Sequence, residues 1–297
     1  MTPSPATQAP LTPEAQRWAQ SLAAGLLALS LALASSTAGS AAREGVEVGT
    51  NSAFSRLVPA DRLEQSAGLQ YAQLLRRASG QGALAGDDDP QLGRLRAIAQ
   101  HIISHTATWN PRANNWQWEV NLIGSRQINA FCMPGGKIVF FSGLLRQLQL
   151  TNDEVAMVMG HEIAHALREH ARARLAKAAV TQGAARLGGA VAASVFGIDP
   201  RLTDGLARGG ANLLTLEFSR EDESEADLVG MELAARAGYD PRAAVALWQK
   251  MGAASTGAPP QWLSTHPSGK SRIADIQKNL PKVLPLYERA IKPSRVR

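Results

Sequence analysis

Two histidines bracket a glutamate in the stretch His161-Glu162-Ile163-Ala164-His165. On a helix, positions i and i+4 share a face, so both imidazoles can reach one cation while Glu162 lies beside the first. Peptidases that use this spacing hold a single Zn2+, which takes two helix histidines, a third protein ligand from elsewhere, and keeps a position open for water. The carboxylate takes a proton from the attacking water and delivers it to the leaving amine. A source for the third ligand must therefore exist. Glu223 and Asp227, again four apart, would place one acid to ligate and a second to hold a ligating imidazole from behind. Taken by itself, Glu223 reads as a solvated acid among Glu221, Asp222 and Glu225.

The remaining histidines are less eloquent. His101 and His105 repeat the spacing but enclose Ile102, Ile103 and Ser104, with no base between them, and read as structural or surface residues. His170 follows His165 by five residues, which on an unbroken helix turns it about 140° away. The expectation is a solvated side chain.

Helical and extended patterns surround these residues. A capping-box pattern at Asp61 and Glu64 starts one helix, and Asp89-Pro90 starts another that keeps apolar spacing through Leu92, Leu95, Ala99 and Ile102 to about Thr106. Trp116, Trp118, Val120 and Leu122 then alternate with polar residues, as a half-buried strand requires. Residues 127–131 and 137–141 read as two further strands, joined through Pro134, Gly135 and Gly136. The helix carrying the histidines should begin near Thr151, with Glu154 completing a capping box, and run to about Val180. Residues 183–210 are rich in Gly and Ala and read as an excursion, lying on a membrane or covering the site. Further helices are expected over 220–237, stopped by Gly238, from Asp240-Pro241 to about Met251, and over 269–279. The fold class is α+β and mainly helical, a zincin-like domain with a small sheet beside the active-site helix.

Four separated motifs, in order across residues 90 to 280, resemble the gluzincin zinc peptidases of the HtpX, CAAX prenyl protease, BepA and LoiP family. Besides the His-Glu-x-x-His stretch, Phe218-Ser219-Arg220 followed by Glu223 and Ala226-Asp227 resembles that family's second motif. The resemblance implies Glu223 as third zinc ligand and Asp227 behind a ligating histidine. Asn129-Ala130-Phe131, the Pro134-Gly135-Gly136 turn and Ser142-Gly143-Leu144-Leu145 resemble its upstream region, which implies an edge strand that binds substrate through Asn129 and Ala130. Thr265-His266-Pro267, with Arg272 six residues past the histidine, resembles its downstream motif. It implies His266 near the metal, as a fourth ligand or an oxyanion donor, and Arg272 bound to an acid or to substrate.

Composition agrees with a folded catalytic domain: hydrophobic residues make up 45% and charged residues 19% of the chain, a balance that excludes a disordered chain. Cys132 is the only cysteine, so an intramolecular disulfide is excluded and a structural thiol is expected. Residues 22–34 are Leu- and Ala-rich, flanked by Arg17 and followed by Ala38, Gly39, Ser40, Ala41 and Ala42. That run is shorter than the roughly 20 residues of a membrane span. Residues 1–42 therefore read as a cleaved signal peptide. Residues 43–89 read as a helical extension, 90–285 as the peptidase domain and 286–297 as a basic tail, within a chain of net charge +6. The resulting expectation is an exported, periplasmic zinc endopeptidase for misfolded or unassembled proteins of the bacterial envelope. Its partners are polypeptides, the basic end could contact an anionic membrane surface, and nothing calls for nucleic acid. A chaperone or assembly factor that holds extended chains along the same edge strand, with little turnover, is the alternative.

Overall fold

A computed structural model describes residues 43–187, 213–254, 261–266 and 270–293. Residues 1–42, read above as a signal peptide, and most of the 183–210 stretch, read as an excursion, fall outside these residues. The described residues from Gly45 onward belong to one compact unit. Among the described residues no helix is long and apolar enough to cross a membrane.

Helix α1 (Ala60–Gly80) begins after Pro59 with no side-chain cap. Glu64, expected to cap it, instead binds the Arg112 guanidinium through both carboxylate oxygens and accepts from Trp116 Nε1. Helix α2 (Pro90–Ile103) starts as its sequence requires. Asp89 Oδ1 accepts from the amides of Gln91 and Leu92, and Pro90 needs no amide partner in the first turn.

The sheet has three strands, β1 (Glu119–Ile123), β2 (Ala130–Met133) and β3 (Lys137–Phe141), in the order β1-β3-β2. β3 runs parallel to β1 and antiparallel to β2. Gly135 and Gly136 both have positive φ, 84° and 79°. That conformation lets the reversal close tightly and explains why two glycines sit there. Trp116 and Trp118 precede β1; they pack on each other at 5.2 Å and their indole N–H groups bind Glu64 and the Ala113 carbonyl. β2 is an edge of the sheet.

Short α3 (Ser142–Gln147) leads into α4 (Asn152–Leu167), where Thr151 and Glu154 form the reciprocal capping box. Every residue of α4 from Glu154 to Leu167 is buried, so this helix is the centre of the core, packed against β2, α2 and the later helices. It stops at Leu167. Glu169 takes φ +58°, and α5 (His170–Leu187) sets off anew, so the continuous helix expected to Val180 is two helices.

Helix α6 (Arg220–Arg236) has its own capping box between Ser219 and Asp222 and ends before Gly238 at φ +84°. Helices α7 (Ala243–Ala253), α8 (Gln261–Thr265) and α9 (Lys270–Arg289) complete the chain. α9 continues past the end expected at residue 279, through Pro281 and Pro285, because Ile276, Val283 and Leu286 are buried in the core. The expected boundary at residue 285 thus falls inside a helix.

Candidate metal centre

His161 and His165 project from one face of α4, and α6 delivers Glu223 opposite them from its first turn. There the helix dipole favours a carboxylate. His266 closes the group from the end of α8. All four side chains are buried, and their ligating atoms lie within 4.8 Å of one another. His161 Nε2 is 3.1 Å from His165 Nε2, 3.2 Å from His266 Nδ1 and 3.5 Å from Glu223 Oε2. His165 Nε2 is 3.5 Å, and His266 Nδ1 2.9 Å, from Glu223 Oε1.

These separations test the donor set. A tetrahedral ion bound at about 2.0–2.1 Å makes its ligand atoms roughly 3.3 Å from each other. The five separations, taken to one or the other Glu223 oxygen, run from 2.9 to 3.5 Å and bracket that figure, and all four donor atoms lie within 4.8 Å of one another, close enough to share one ion. Without an ion, Glu223 Oε2 is met by the Arg272 guanidinium at 2.7 Å but by no aligned hydrogen bond.

Outer contacts hold two of these side chains, His161 and Glu223. His161 Nδ1 donates to Asp227 Oδ1 at 3.0 Å, which leaves Nε2 to point inward. Arg272 donates from Nε and Nη2 to the two oxygens of Asp227, both at 2.7 Å, and its Nη1 lies 2.7 Å from Glu223 Oε2. Its guanidinium also stacks 3.6 Å over the Trp248 ring. Arg272 is 4% exposed and does not line the cleft, so the substrate-binding alternative for it is corrected: the fork is used up by two acids and an indole.

Electrostatics follow this arrangement. Burial alone would lower the His161 pKa, but the Asp227 and Glu223 carboxylates outweigh it and hold it up at about 9. Burial, with the neighbouring His161, His170 and His266, pushes His165 well down. For Asp227 burial works upward, yet Arg272 and His161 keep it below the usual carboxylate range.

The cleft beside the centre is lined by Glu162, His165 and His266 on one side and by β2 from Asn129 to Pro134 on the other. Leu213, Leu214 and Phe218 form an apolar wall. Asn129 and Ala130 are thus at the cleft as expected. Cys132 is buried among them, and burial raises its thiol pKa well above the usual value.

Two residues at the centre escaped the sequence reading. Trp262, fully buried, donates from Nε1 to Glu162 Oε1 at 2.6 Å and stacks on His266 at 4.9 Å. Its position four residues before His266, on the same helical face, was the available signal. His170 is the second. It is 4% exposed, and its Nδ1 lies 3.0 Å from His165 Nδ1, so the expected solvated side chain is corrected. The offset worked from the spacing assumed one unbroken helix, and the break at Glu169 folds the ring back.

The model of peptidase family M48 matches residues 91–280, well over half the chain. The chain belongs to peptidase family M48. Enzymes of this M48 class are zinc-dependent, in agreement with the donor set. Relatives include the mitochondrial metalloendopeptidase OMA1 of Arabidopsis thaliana, 41% identical over 52% of this chain and 30% of its own. The corresponding enzyme of Bos taurus is 33% identical over 68% and 40%. The beta-barrel assembly-enhancing protease of Escherichia coli K12 is 30% identical over 67% and 41%. The chain covers less than half the length of these M48 relatives. They also overturn the expectation of a bacterial periplasmic protein, because the relatives at 33 to 41% identity are named as mitochondrial enzymes. The physical reason is plain: a short apolar run with one flanking arginine carries nothing that distinguishes one membrane from another.

Proposed function

We propose that this chain is a zinc endopeptidase that cuts extended stretches of misfolded or unassembled proteins, with His161, His165 and Glu223 as metal ligands and Glu162 as general base. The observation that carries the reading is the cluster of His161, His165, Glu223 and His266 beside a cleft that Glu162 lines and whose other wall is an edge strand. The names of the relatives support endopeptidase chemistry, and one of them ties proteolysis to the assembly of other proteins.

Strand β2 suits an unselective substrate. Phe141 N–H donates to the Asn129 carbonyl, so antiparallel alternation turns the main-chain groups of residues 129, 131 and 133 toward β3. Those of Ala130 and Cys132 face the other way, where no strand pairs among the described residues. An extended peptide would add there by main-chain hydrogen bonds, with an apolar side chain directed at Leu213, Leu214 and Phe218. Such binding selects for unfolded chain more than for sequence.

When bound, Zn2+ supplies Lewis acidity to the scissile carbonyl and the attacking water. Glu162 accepts the proton of that water and returns it to the departing amine. Trp262 Nε1–H holds Oε1 of Glu162, fixing the carboxylate in the cleft. His266, with Nε2 3.6 Å from Glu162 Oε1, stands where it can either complete the ligand set or donate to the developing oxyanion. The test is cleavage of unfolded casein against a natively folded control, with metal analysis of wild type and Glu162→Gln. One zinc in both proteins and cleavage in wild type alone is the expected result. Zinc without cleavage by wild type would favour a holding role, and no zinc would end the proposal.

A further inference from the structure

The two helix histidines are backed in different ways. His161 reaches a carboxylate directly, through Asp227. His165 reaches another imidazole. His165 Nδ1 and His170 Nδ1 face each other at 3.0 Å, and His170 Nε2 lies 3.1 Å from Glu225 Oε2. The protons can be assigned by elimination. His165 Nε2 belongs to the donor cluster and must offer its lone pair, so the proton of that ring sits on Nδ1 and points at His170. His170 Nδ1 must then accept, which puts its own proton on Nε2, facing an oxygen that can only accept. Each member thereby fixes the next. Glu225 is ion-paired with Arg168, whose guanidinium also donates to the Gly49 carbonyl, so the far end is anchored to the segment ahead of α1.

We infer that His170 and Glu225 are positioning residues for the metal centre, a relay that fixes the tautomer and ring orientation of His165 and so aims Nε2 at the ion. The inference rests on the proposed ligand role of His165. The helix break makes the contact possible, since Glu169 at φ +58° swings His170 back over the preceding turn. Partners that orient a ligating histidine typically account for about 10- to 100-fold in metal affinity.

The test measures zinc affinity of the full chain by chelator competition, for wild type, His170→Ala, His170→Gln and Glu225→Gln, alongside the melting temperature of each metal-free protein. His170→Ala is expected to weaken zinc about 10- to 100-fold. His170→Gln, which keeps an acceptor toward His165 and a donor toward Glu225, is expected to recover most of the loss. In cobalt-substituted protein the visible bands of His170→Ala should shift from those of wild type. An affinity within twofold of wild type in a folded His170→Ala protein overturns the relay. If that variant does not fold, Glu225→Gln decides, because its partly exposed side chain can be changed without emptying the core: a threefold or greater loss supports the relay and an unchanged affinity overturns it. Wild-type protein that binds no zinc would instead refute the ligand reading on which the relay rests.

Discussion

Replacing Arg272 by methionine separates a structural role at the metal centre from a role in substrate binding. The guanidinium satisfies both oxygens of Asp227 and stands 2.7 Å from Glu223, and all three groups are buried. Methionine keeps much of the volume against Trp248 but leaves Asp227 and Glu223 in the core with only the His161 imidazolium beside them in the metal-free protein. Removing one partner of a buried ion pair costs about 3–5 kcal/mol. For a chain of this size, where each kcal/mol moves the midpoint by about 2–4 °C, the metal-free protein should melt roughly 6–20 °C lower. Zinc at Glu223 would neutralise part of the uncovered charge, so the deficit should shrink in the loaded protein. Arg272→Lys should recover only part of it, because one ammonium cannot serve both oxygens of Asp227 and Glu223 together. Scanning calorimetry with and without EDTA reads each of these. A shift under about 2 °C in the metal-free protein, less than about 1 kcal/mol, with a raised KM, would return Arg272 to the substrate and refute the reasoning.

The other outcomes concern the metal and its neighbours. Glu223→Ala should lose stoichiometric zinc by metal analysis, whereas Glu162→Gln should keep it and lose at least about 100-fold in cleavage rate; chelation should silence wild type, and added zinc should restore it. His161 is held up at about 9 in the metal-free fold, above its ordinary 6.5. Its cation therefore stabilises that fold fully below about 6.5, and the contribution disappears as pH rises through about 9. Zinc has to displace this proton, so its apparent affinity should climb about tenfold per pH unit from 6.5 toward 9 and then level; a flat chelator-competition profile over that window would contradict the pairing. If His266 fills the fourth position, His266→Ala should raise basal casein cleavage; with zinc intact, lower cleavage would leave it as an oxyanion donor and unchanged cleavage would refute both roles.

How much of this was legible in the sequence depended on whether a feature was local. The capping box at Thr151, the Asp89-Pro90 start and the two-glycine turn are written in neighbouring residues, and each forms where its pattern stands; the one read at Asp61 and Glu64 does not form, because Arg112 and Trp116 take the Glu64 carboxylate. The four residues of the donor cluster were named from spacing and resemblance. What stayed hidden arises where tertiary packing overrides a local rule. Nothing in Arg168-Glu169-His170 announces that a non-glycine residue takes positive φ, yet that single dihedral turns His170 from solvent to the centre. Pro281 and Pro285 signal a helix end by local rule, and buried Val283 and Leu286 carry the helix past both. Arg272 could be read as facing an acid or a substrate because its partners, Asp227 and Trp248, come from two other helices.

The close approach of α4 and α6 is the feature on which the ligand set depends, and two glycines permit it. A Cβ built on Gly160 would sit 2.5 Å from the Gly230 carbonyl oxygen, and one built on Gly230 would sit 2.5 Å from the His161 amide nitrogen. Backbone atoms cannot rotate aside as a flexible side chain does, so Gly230→Ala must part the helices by about 1 Å to restore ordinary contact. The opening lies beside His161, and α6 is the helix that carries Glu223, Glu225 and Asp227, so the ligand and both backing carboxylates would move together relative to α4. A displacement of that size at a site of fixed geometry can cost about 100-fold in rate. Gly230→Ala is therefore expected to lower casein cleavage about 100-fold and to weaken zinc. Gly252→Ala, where nothing lies within 4 Å of the added Cβ, should change neither. If Gly230→Ala kept wild-type zinc affinity and rate, the positions of Glu223 and Asp227 would not depend on this helix contact, and the centre would have to be held by the Arg272 fork alone.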